Sequence, residues 1–446
     1  MANFATRLLN FLILPMYTYY LSTEEYATID LMNTTIQLVY PLFTLAIVDA
    51  VLRFAISKKE KVGKILTTGL IVIGIGFVVL TIGCIGINIY IKDVKLISCF
   101  LLVYLTQTLN NLAGTVSKVL DKTKEMAIIT TVTSFLILLL NILMVAVLKQ
   151  GVIGYWVANI VGNLLGLLLY IVLCKLYKTV ERVGKAEIIY YLKPMLVYSI
   201  PLIPNALFWW VNSSLDRWTL TFLEGLAVVG LYSCANKIPT ILSTINTIFS
   251  QAWNLSIFQN YNTVDGTEFY NNVYYYFNEI LFCCCIGIIM MSKVIGDVMF
   301  AKDFGAAWIY IPLLTAGLYY NCINSFLGSL FTASKQTKYI FTTTLAGTIC
   351  NLVLNFPMVY ILGASGAALA TLISYLLVYG ARCIKVRKLY GIVNNRKKIG
   401  FQMCFLGIET IFVMKNRGWG IVICMVGIYC LKFLITMCKE IKAVKR

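Results

Sequence analysis

Apolar runs of about 18 or more residues follow one another along the whole chain, with only short polar stretches between them. Each run is long enough to cross the roughly 30 Å hydrocarbon core of a membrane as a helix. Only 13% of the residues are charged, and a water-soluble protein carries about twice that fraction. We therefore predict an all-α membrane protein. Its spans, about fourteen in number, cover the approximate ranges 4–22, 28–52, 63–91, 95–118, 126–148, 151–177, 191–218, 226–251, 273–297, 306–332, 338–361, 364–385, 399–415 and 418–438.

An internal repeat divides these helices into two related sets. The segment Thr123–Leu143 resembles Thr337–Pro357, and after a two-residue gap the resemblance continues into the next helix. The paired residues are Thr123 and Lys124 with Thr337 and Lys338, Asn141 with Asn355, Met144 with Met358, Gly151 and Gly154 with Gly363 and Gly366, and Ala158 with Ala370. A weaker repeat pairs Glu24, Ala27 and Leu31 with Glu224, Ala227 and Leu231. Two related halves are typical of transporters. We predict a six-helix lobe over 1–180, a second over 181–390, and two additional helices with a basic tail over 391–446.

The basic residues that give the net charge of +18 are distributed in agreement with the predicted membrane topology. Lys and Arg are concentrated on the even-numbered loops and the C-terminal tail, with a large cluster between Arg382 and Lys398. Because basic loops stay in the cytoplasm, we expect both termini to be cytoplasmic. The first run lacks a basic leader and a convincing cleavage site, so we interpret it as a retained helix. The charge is thus explained without a nucleic-acid partner.

Composition and loop length argue against catalysis. The chain has no histidine, which excludes histidine-based catalysis and metal ligation. Most of the fourteen cysteines lie inside apolar runs without zinc or redox spacing, so we expect free thiols and neither a metal nor a cofactor. The odd-numbered loops, such as Thr23–Tyr26 and Gly363–Gly366, are too short to hold an acceptor sugar. A carrier is favoured over a membrane glycosyltransferase or polymerase.

Prolines are concentrated in helices at matching positions of the two halves. They lie in the predicted first, second, seventh and eighth spans: Pro15, Pro41, Pro194, Pro201, Pro204 and Pro239. Proline removes a backbone donor and kinks a helix. One interpretation is that these four helices gate a central cavity. The alternative is that proline is simply more common in membrane helices.

Ionisable side chains inside the spans are the candidate functional residues, because each costs at least about 2.5–3.5 kcal/mol to insert. Arg53, Lys237 and Arg217 lie at low, central and high depth, and would suit an anion moved from inside to outside. Arginine would hold a diphosphate bidentately, and lysine as a point charge. The alternatives are a snorkelling Arg53, a structural ion pair for Lys237 and an interface anchor at Arg217.

Buried acids are the second group of candidates. Asp49 lies one turn before Arg53 and is placed for an intrahelical pair, while Asp30, Asp216 and Glu279 are further ion or pairing sites. We interpret Glu279 as a residue near the end of its helix, and Glu409 with Lys432 as a structural pair. Two aromatic clusters, Trp209-Trp210 and Tyr274–Tyr276, favour a membrane belt or packing over sugar binding.

Several segments carry a family resemblance. They are Leu14–Phe54 with Pro15, Glu25-Tyr26, Pro41 and Arg53; Tyr198–Leu220 with Pro201, Pro204 and Asp216-Arg217; Gly230–Leu242; Trp308–Leu314; and Thr332–Tyr339. Over roughly 14–385 the chain resembles a polysaccharide flippase of the MOP (multidrug/oligosaccharidyl-lipid/polysaccharide) superfamily, in the Wzx-like polysaccharide transport branch. Individual motifs are degenerate, and their order and spacing are the specific part. One departure is Ala27, where the family usually has glycine.

This resemblance implies a two-lobed fold of twelve or fourteen helices in a bacterial cytoplasmic membrane. The implied cargo is an undecaprenyl-diphosphate-linked oligosaccharide moved to the outer leaflet, with membrane lipids and polysaccharide polymerase machinery as partners. The alternatives are a lipid II flippase or a drug/cation antiporter of the same fold. An antiporter would need acidic cavity residues, whereas the deepest charge in the predicted gate helices is Lys237.

Overall fold

A computed structural model describes residues 11–57, 61–260, 266–334, 336–390 and 396–444. All regular elements within these ranges are helical, which confirms the predicted all-α class. The α-helices are α1 (Leu14–Tyr20), α2 (Thr23–Phe43), α3 (Ile47–Ser57), α4 (Val62–Ile91), α5 (Val94–Val119), α6 (Thr123–Asn141), α7 (Gly151–Leu173), α8 (Lys185–Ser199), α9 (Ile203–Leu223), α10 (Leu226–Ala235), α11 (Thr240–Asn260), α12 (Gly266–Met299), α13 (Ile311–Ala333), α14 (Thr337–Leu362), α15 (Ala364–Tyr390), α16 (Arg396–Met414) and α17 (Trp419–Val444).

Ten helical segments of the described chain are long and apolar enough to span a membrane, and two bent pairs of helices raise that number to twelve. The predicted count of fourteen is therefore not confirmed. The start of the first predicted span lies outside the described residues, and α16 carries several charges that keep it below the apolar threshold.

The predicted second and eighth spans are each broken into two helices. The α2–α3 pair bends by 54°, and the α10–α11 pair by 44°. At the first bend Leu45 and Ala46 adopt left-handed backbone angles, four residues after Pro41. At the second, Pro239 lies between the two helices. Because proline has no N–H, Pro239 cannot continue the hydrogen-bond ladder of α10, whereas Pro41 lies inside α2 and the break follows it at 44–46.

A capping box fixes the start of α2. The Ser22 side chain accepts a hydrogen bond from the backbone of Glu25 (3.1 Å), and the Glu25 carboxylate accepts one from the Ser22 backbone (2.9 Å).

Glu25 also lies against Gly151, whose positive φ of 54° and lack of a side chain allow this approach. In the second half, Glu224 approaches Gly363 (φ 59°) in the same way.

The helices group into two compact units, 1–214 and 215–446, with the division falling inside α9. In the first unit α8 packs on α3 and α4, and a 2.6 Å ion pair between Lys64 and Glu187 ties α4 to α8. The core of this unit is aliphatic, around Ile65 and Val116. In the second unit the core is aromatic, and Phe249 stacks on Phe277 with ring centroids 4.0 Å apart.

Equivalent contacts inside the two units confirm the repeat. Gly154 packs on the backbone carbonyl of Met144, and Gly366 packs on that of Met358. A side chain at Gly366 would collide with this carbonyl, and one at Gly154 would lie tightly against it, so glycine allows the close approach in the helix pair α6–α7 and in its counterpart α14–α15. The structure also explains the two-residue gap in the repeat, because the first half contains a π-helical turn, Ile142–Val147, just before α7.

A second pair of contacts repeats with the same spacing. The Asn110 side chain donates to the backbone oxygen of Asn163 (2.5 Å), which joins α5 to α7. The Asn324 side chain donates to the backbone oxygen of Tyr375 (2.9 Å), which joins α13 to α15. The two halves therefore share their internal scaffold down to single hydrogen bonds.

Candidate functional site

The most highly organised buried charge in the second unit is Asp216, on α9. Its carboxylate accepts hydrogen bonds from the Tyr232 hydroxyl on α10 (2.5 Å), the Asn355 amide on α14 (2.5 Å) and the Thr371 hydroxyl on α15 (2.9 Å). Asp216 is 8% exposed and Asn355 1%. Four helices thus converge on one carboxylate, and three donors compensate its removal from water.

Two amide oxygens border this carboxylate cluster without a hydrogen-bond donor. The Asn351 amide donates to the Thr371 hydroxyl (2.9 Å), but the oxygens of Asn351 and Asn355 have no partner in the part of the chain that the structure describes. Buried acceptors of this kind are rare in folded proteins. Rotation of the Asn355 amide would turn its oxygen towards Asp216, and rotation of the Asn351 amide would turn its oxygen towards the Thr371 hydroxyl, because the two ends of an amide are nearly isosteric.

The Asp216 cluster therefore combines one buried carboxylate with two amide oxygens and two hydroxyls. Hard oxygen atoms of these types suit a small hard cation, and a buried carboxylate can also take up a proton. Sequence analysis identified Asp216 as a possible ion site but missed Asn351 and Thr371. Asn355 was recognised only as a marker of the repeat.

The three predicted cavity cations occupy different environments. Arg53 is exposed near the end of α3, and Lys237 is half-buried in the break between α10 and α11. Arg217 is buried beside Asp216 at 8% exposure. Lys237 thus lies at a helix break rather than in a continuous eighth helix, and its backbone oxygen accepts a hydrogen bond from the Thr240 hydroxyl. Their role in cargo binding stays a prediction.

The predicted acids of the first unit differ in burial. Asp49 is exposed, and the described part of the chain shows no ion pair between it and Arg53. Asp30 is buried in α2 at 7% exposure. One turn along α2, the Asn33 amide donates to the Tyr155 hydroxyl (3.2 Å).

Glu279 is buried and fully bound, not located near the end of its helix. It forms a 2.9 Å ion pair with Lys398 and accepts hydrogen bonds from Gln402 (2.8 Å) and Tyr429 (2.9 Å). The prediction was wrong because α12 begins at Gly266, several residues before the predicted start of the span. This network ties α16 and α17 to α12.

The predicted Glu409–Lys432 pair is not formed. Lys432 is exposed, whereas Glu409 is 1% exposed and neither carboxylate oxygen has a hydrogen-bond partner among the described residues. The prediction rested on similar depths in neighbouring helices, and depth does not determine the direction in which a side chain points.

Arg382 is a buried cation that sequence analysis misplaced in the cytoplasmic basic cluster. It lies inside α15 at 6% exposure and donates to the Asn324 backbone oxygen (2.5 Å) and the hydroxyls of Thr343 (3.1 Å) and Thr344 (3.0 Å). The repeat aligns Arg382 with Tyr170 of the first half, whose hydroxyl lies 3.1 Å from the Thr130 hydroxyl. Extension of the repeat beyond Ala370 would have predicted this interior position.

In each predicted aromatic cluster at least one ring packs inside its unit. The Trp210 indole donates to the Thr34 backbone oxygen (2.7 Å), which joins α9 to α2 within the first unit, while Trp209 is 58% exposed. Tyr274 is buried in the aromatic core, and Lys398 lies 3.9 Å from the ring centre of Tyr275. The fourteen cysteines are free, as expected.

Comparison with solved structures defines the class of protein. The fold matches that of the "Lipid II flippase MurJ, inward closed conformation" with a TM-score of 0.72 at 14% identity, over 100% of this chain and 99% of that one. It also matches an "inward-facing conformation of a multidrug resistance MATE family transporter of the MOP superfamily", with a TM-score of 0.61 at 14% identity, over 87% and 96% of the two chains. The chain has the MOP fold and is a multi-spanning membrane protein.

The sequence comparisons identify the family. The polysaccharide biosynthesis protein family matches residues 1–254, and this chain belongs to it. A relative from Shigella dysenteriae named "Putative O-antigen transporter" is 24% identical over 387 residues, which are 84% of this chain and 94% of the relative. The protein is therefore a membrane transporter of this family rather than an enzyme, as predicted.

Proposed function

We propose that the protein translocates an undecaprenyl-diphosphate-linked oligosaccharide from the inner to the outer leaflet of the bacterial cytoplasmic membrane. The observation that carries this proposal is the O-antigen transporter relative, whose match covers most of both chains, and the membership of this chain in the polysaccharide biosynthesis protein family is consistent with it. The product would serve O-antigen, capsule or exopolysaccharide synthesis, and the partners would be membrane lipids and a polysaccharide polymerase.

The mechanism we propose is alternating access. The bends of 54° and 44° in the predicted second and eighth spans, and the prolines Pro15, Pro41, Pro201, Pro204 and Pro239, support these helices as the parts that move. The Asp216 cluster supports coupling to a proton or a small cation, because it is a buried carboxylate with spare oxygen ligands nearby.

The cargo's diphosphate would be held by Arg53, Lys237 and Arg217 in the transport cavity. Purified protein in liposomes tests this with a labelled polyprenyl-diphosphate oligosaccharide. We expect Lys237→Ala to lower the flipping rate at least about tenfold, and Lys237→Arg to keep partial activity because the charge survives with a changed geometry. The matched control is Lys432→Ala, which removes an exposed lysine. Wild-type flipping by Lys237→Ala would contradict the proposed cation role.

Both termini would lie in the cytoplasm. In a cysteine-free background, single cysteines at Glu24→Cys and Tyr390→Cys should react with an impermeant reagent from opposite sides of the membrane. Labelling of both from outside would contradict this orientation.

A lipid II flippase is the second candidate, favoured by the match to MurJ over the full length of this chain. Both cargoes are polyprenyl diphosphates and differ in their glycans. Parallel flipping assays with lipid II and with a lipid-linked repeat unit decide between them. We expect the repeat unit to be moved faster, and preferential transport of lipid II would reverse the assignment.

A further inference from the structure

Two buried acids lie at helix α16. Glu279 of α12 contacts it and has hydrogen-bond partners, whereas Glu409 lies on α16 itself and has none among the described residues. Glu279 on α12 is held near one end of α16 by Lys398, Gln402 and Tyr429, so its charge is fully compensated. Glu409 lies on α16 itself, about three turns beyond Lys398. Both its oxygens lack a hydrogen-bond partner within the described residues, although it is as deeply buried as Glu279.

The surroundings of Glu409 are apolar or weakly polar. Its helix neighbours Leu406 and Val413 belong to the hydrophobic core of the second unit. From α12 the Cys285 thiol lies close enough to interact with the carboxyl group, and the Cys322 thiol of α13 interacts with Cys285 in turn. On α17, Lys432 is exposed, and the Tyr429 hydroxyl is already bound to Glu279.

Neither a cation nor a donor thus compensates a negative charge at Glu409 in the described structure. An isolated ionised carboxylate in an apolar interior is strongly disfavoured, and such a group takes up a proton instead. A metal ion is a poor alternative at Glu409, because the described residues contain no group of three or more histidine, cysteine or acidic side chains that could hold one.

We propose that Glu409 is a proton-binding site, a neutral carboxylic acid in this conformation, which makes the packing of α16 on α12 and α13 depend on pH. Any state in which α16 separates and the carboxyl group meets water releases the proton. By linkage, alkaline pH favours that separated state and acidic pH favours the packed one. The proposal concerns the acid itself and holds whichever lipid-linked cargo the protein moves.

Infrared spectroscopy of the full-length protein in lipid nanodiscs tests the protonation state directly. At neutral pH the wild type should show the carbonyl stretch of a protonated carboxylic acid, shifted in D₂O. Glu409→Gln should remove this band. The matched control is Glu279→Gln, which alters an ion-paired carboxylate and should leave the band in place. A band that persists unchanged in Glu409→Gln, or no such band in the wild type, would overturn the proposal.

Thermal unfolding across pH gives an independent readout. A neutral buried acid binds its proton more tightly in the folded protein than in the unfolded chain. Proton binding therefore stabilises the folded protein, and this stabilisation is lost as pH rises. We expect the wild type and Glu409→Gln to melt alike near about pH 3, where the glutamate is protonated in the unfolded as well as the folded state. By about pH 9 the wild type should melt at least about 2 °C below the variant. A constant difference across pH would overturn the proposal, and Glu409→Met, which also cannot ionise, should reproduce the glutamine result.

Discussion

The two halves of the protein share neutral contacts and differ in buried charge. The Asn110 bond to the Asn163 backbone recurs as the Asn324 bond to the Tyr375 backbone, and Gly154 on Met144 recurs as Gly366 on Met358. By contrast, five of the six buried charged side chains in the described chain lie in the second unit: Asp216, Arg217, Glu279, Arg382 and Glu409, against Asp30 in the first.

Neutral contacts that recur in both halves hold the helices together, whereas the buried charges do not recur. Contacts between small or neutral groups are preserved where helices must approach closely, because they set the geometry of both bundles. Buried charges cost free energy in every conformation. Glu279 and Arg382 join helices through their bonds, whereas Asp216 is the buried charge for which we propose a role in ion coupling.

The sharpest comparison is between Asn355 and Asn141, which the repeat pairs. Asn355 donates to the Asp216 carboxylate, whereas Asn141 donates to the Ile137 backbone of its own helix (2.8 Å). Loss of a hydrogen bond to a buried charge costs about 1.5–3 kcal/mol, so Asn355→Ala should lower transport about ten- to a hundredfold. Asn141→Ala should leave the rate within about twofold. Equal losses in a liposome flipping assay would show that the halves do not differ in function.

The repeated glycines predict a graded loss of stability. A methyl group at Gly366 would overlap the Met358 carbonyl severely, while at Gly154 it would approach the Met144 carbonyl to 3.0 Å. Gly366→Ala should cost about 2–3 kcal/mol and Gly154→Ala about 1 kcal/mol, measured by denaturant unfolding in detergent. A larger cost at Gly154 would contradict the described helix contact.

Exchange between the halves tests Arg382. Glycine makes room for it at Gly328, as Gly114 does for Tyr170 in the first half. Arg382→Leu should cost about 2 kcal/mol, because the hydroxyls of Thr343 and Thr344 lose their donor. Arg382→Tyr restores the residue of the first half and should recover part of that loss. If the tyrosine variant unfolds more easily than the leucine variant, the equivalence fails.

The shared asparagines should behave alike. Asn110→Ala and Asn324→Ala should each cost about 1 kcal/mol of unfolding free energy, because each removes one side-chain bond to a neighbouring helix. Values that differ by more than about 1 kcal/mol would place the two contacts in different structural contexts.

Sequence analysis predicted the scaffold better than the site. Spacing alone paired Met144 with Met358 and Gly154 with Gly366, because close helix contacts tolerate few residue types. The bends near Pro41 and Pro239 were predictable because proline kinks or breaks a helix. Asp216 was identified because a carboxylate in an apolar run is conspicuous.

Partners in space were not predictable. Tyr232, Asn355 and Thr371 come from three other helices, and no local pattern joins them to Asp216. The sequence allowed the depth of a residue along its helix to be predicted, but not the direction in which its side chain points. For this reason Glu409 was wrongly paired with Lys432. Arg382 was grouped with the basic cluster that follows it, although it lies inside the predicted span 364–385.

Asp216→Asn in a reconstituted flipping assay tests the central claim most directly. Liposomes would carry wild type, Asp216→Asn or Asp30→Asn, with a labelled polyprenyl-diphosphate oligosaccharide and an imposed proton or sodium gradient. We predict that Asp216→Asn abolishes the gradient-dependent part of flipping, because an amide cannot bind a proton or supply a charge to a cation. Asp30→Asn should retain that part. Gradient-driven flipping that survives in Asp216→Asn and is lost in Asp30→Asn would place the coupling in the first half and contradict the account.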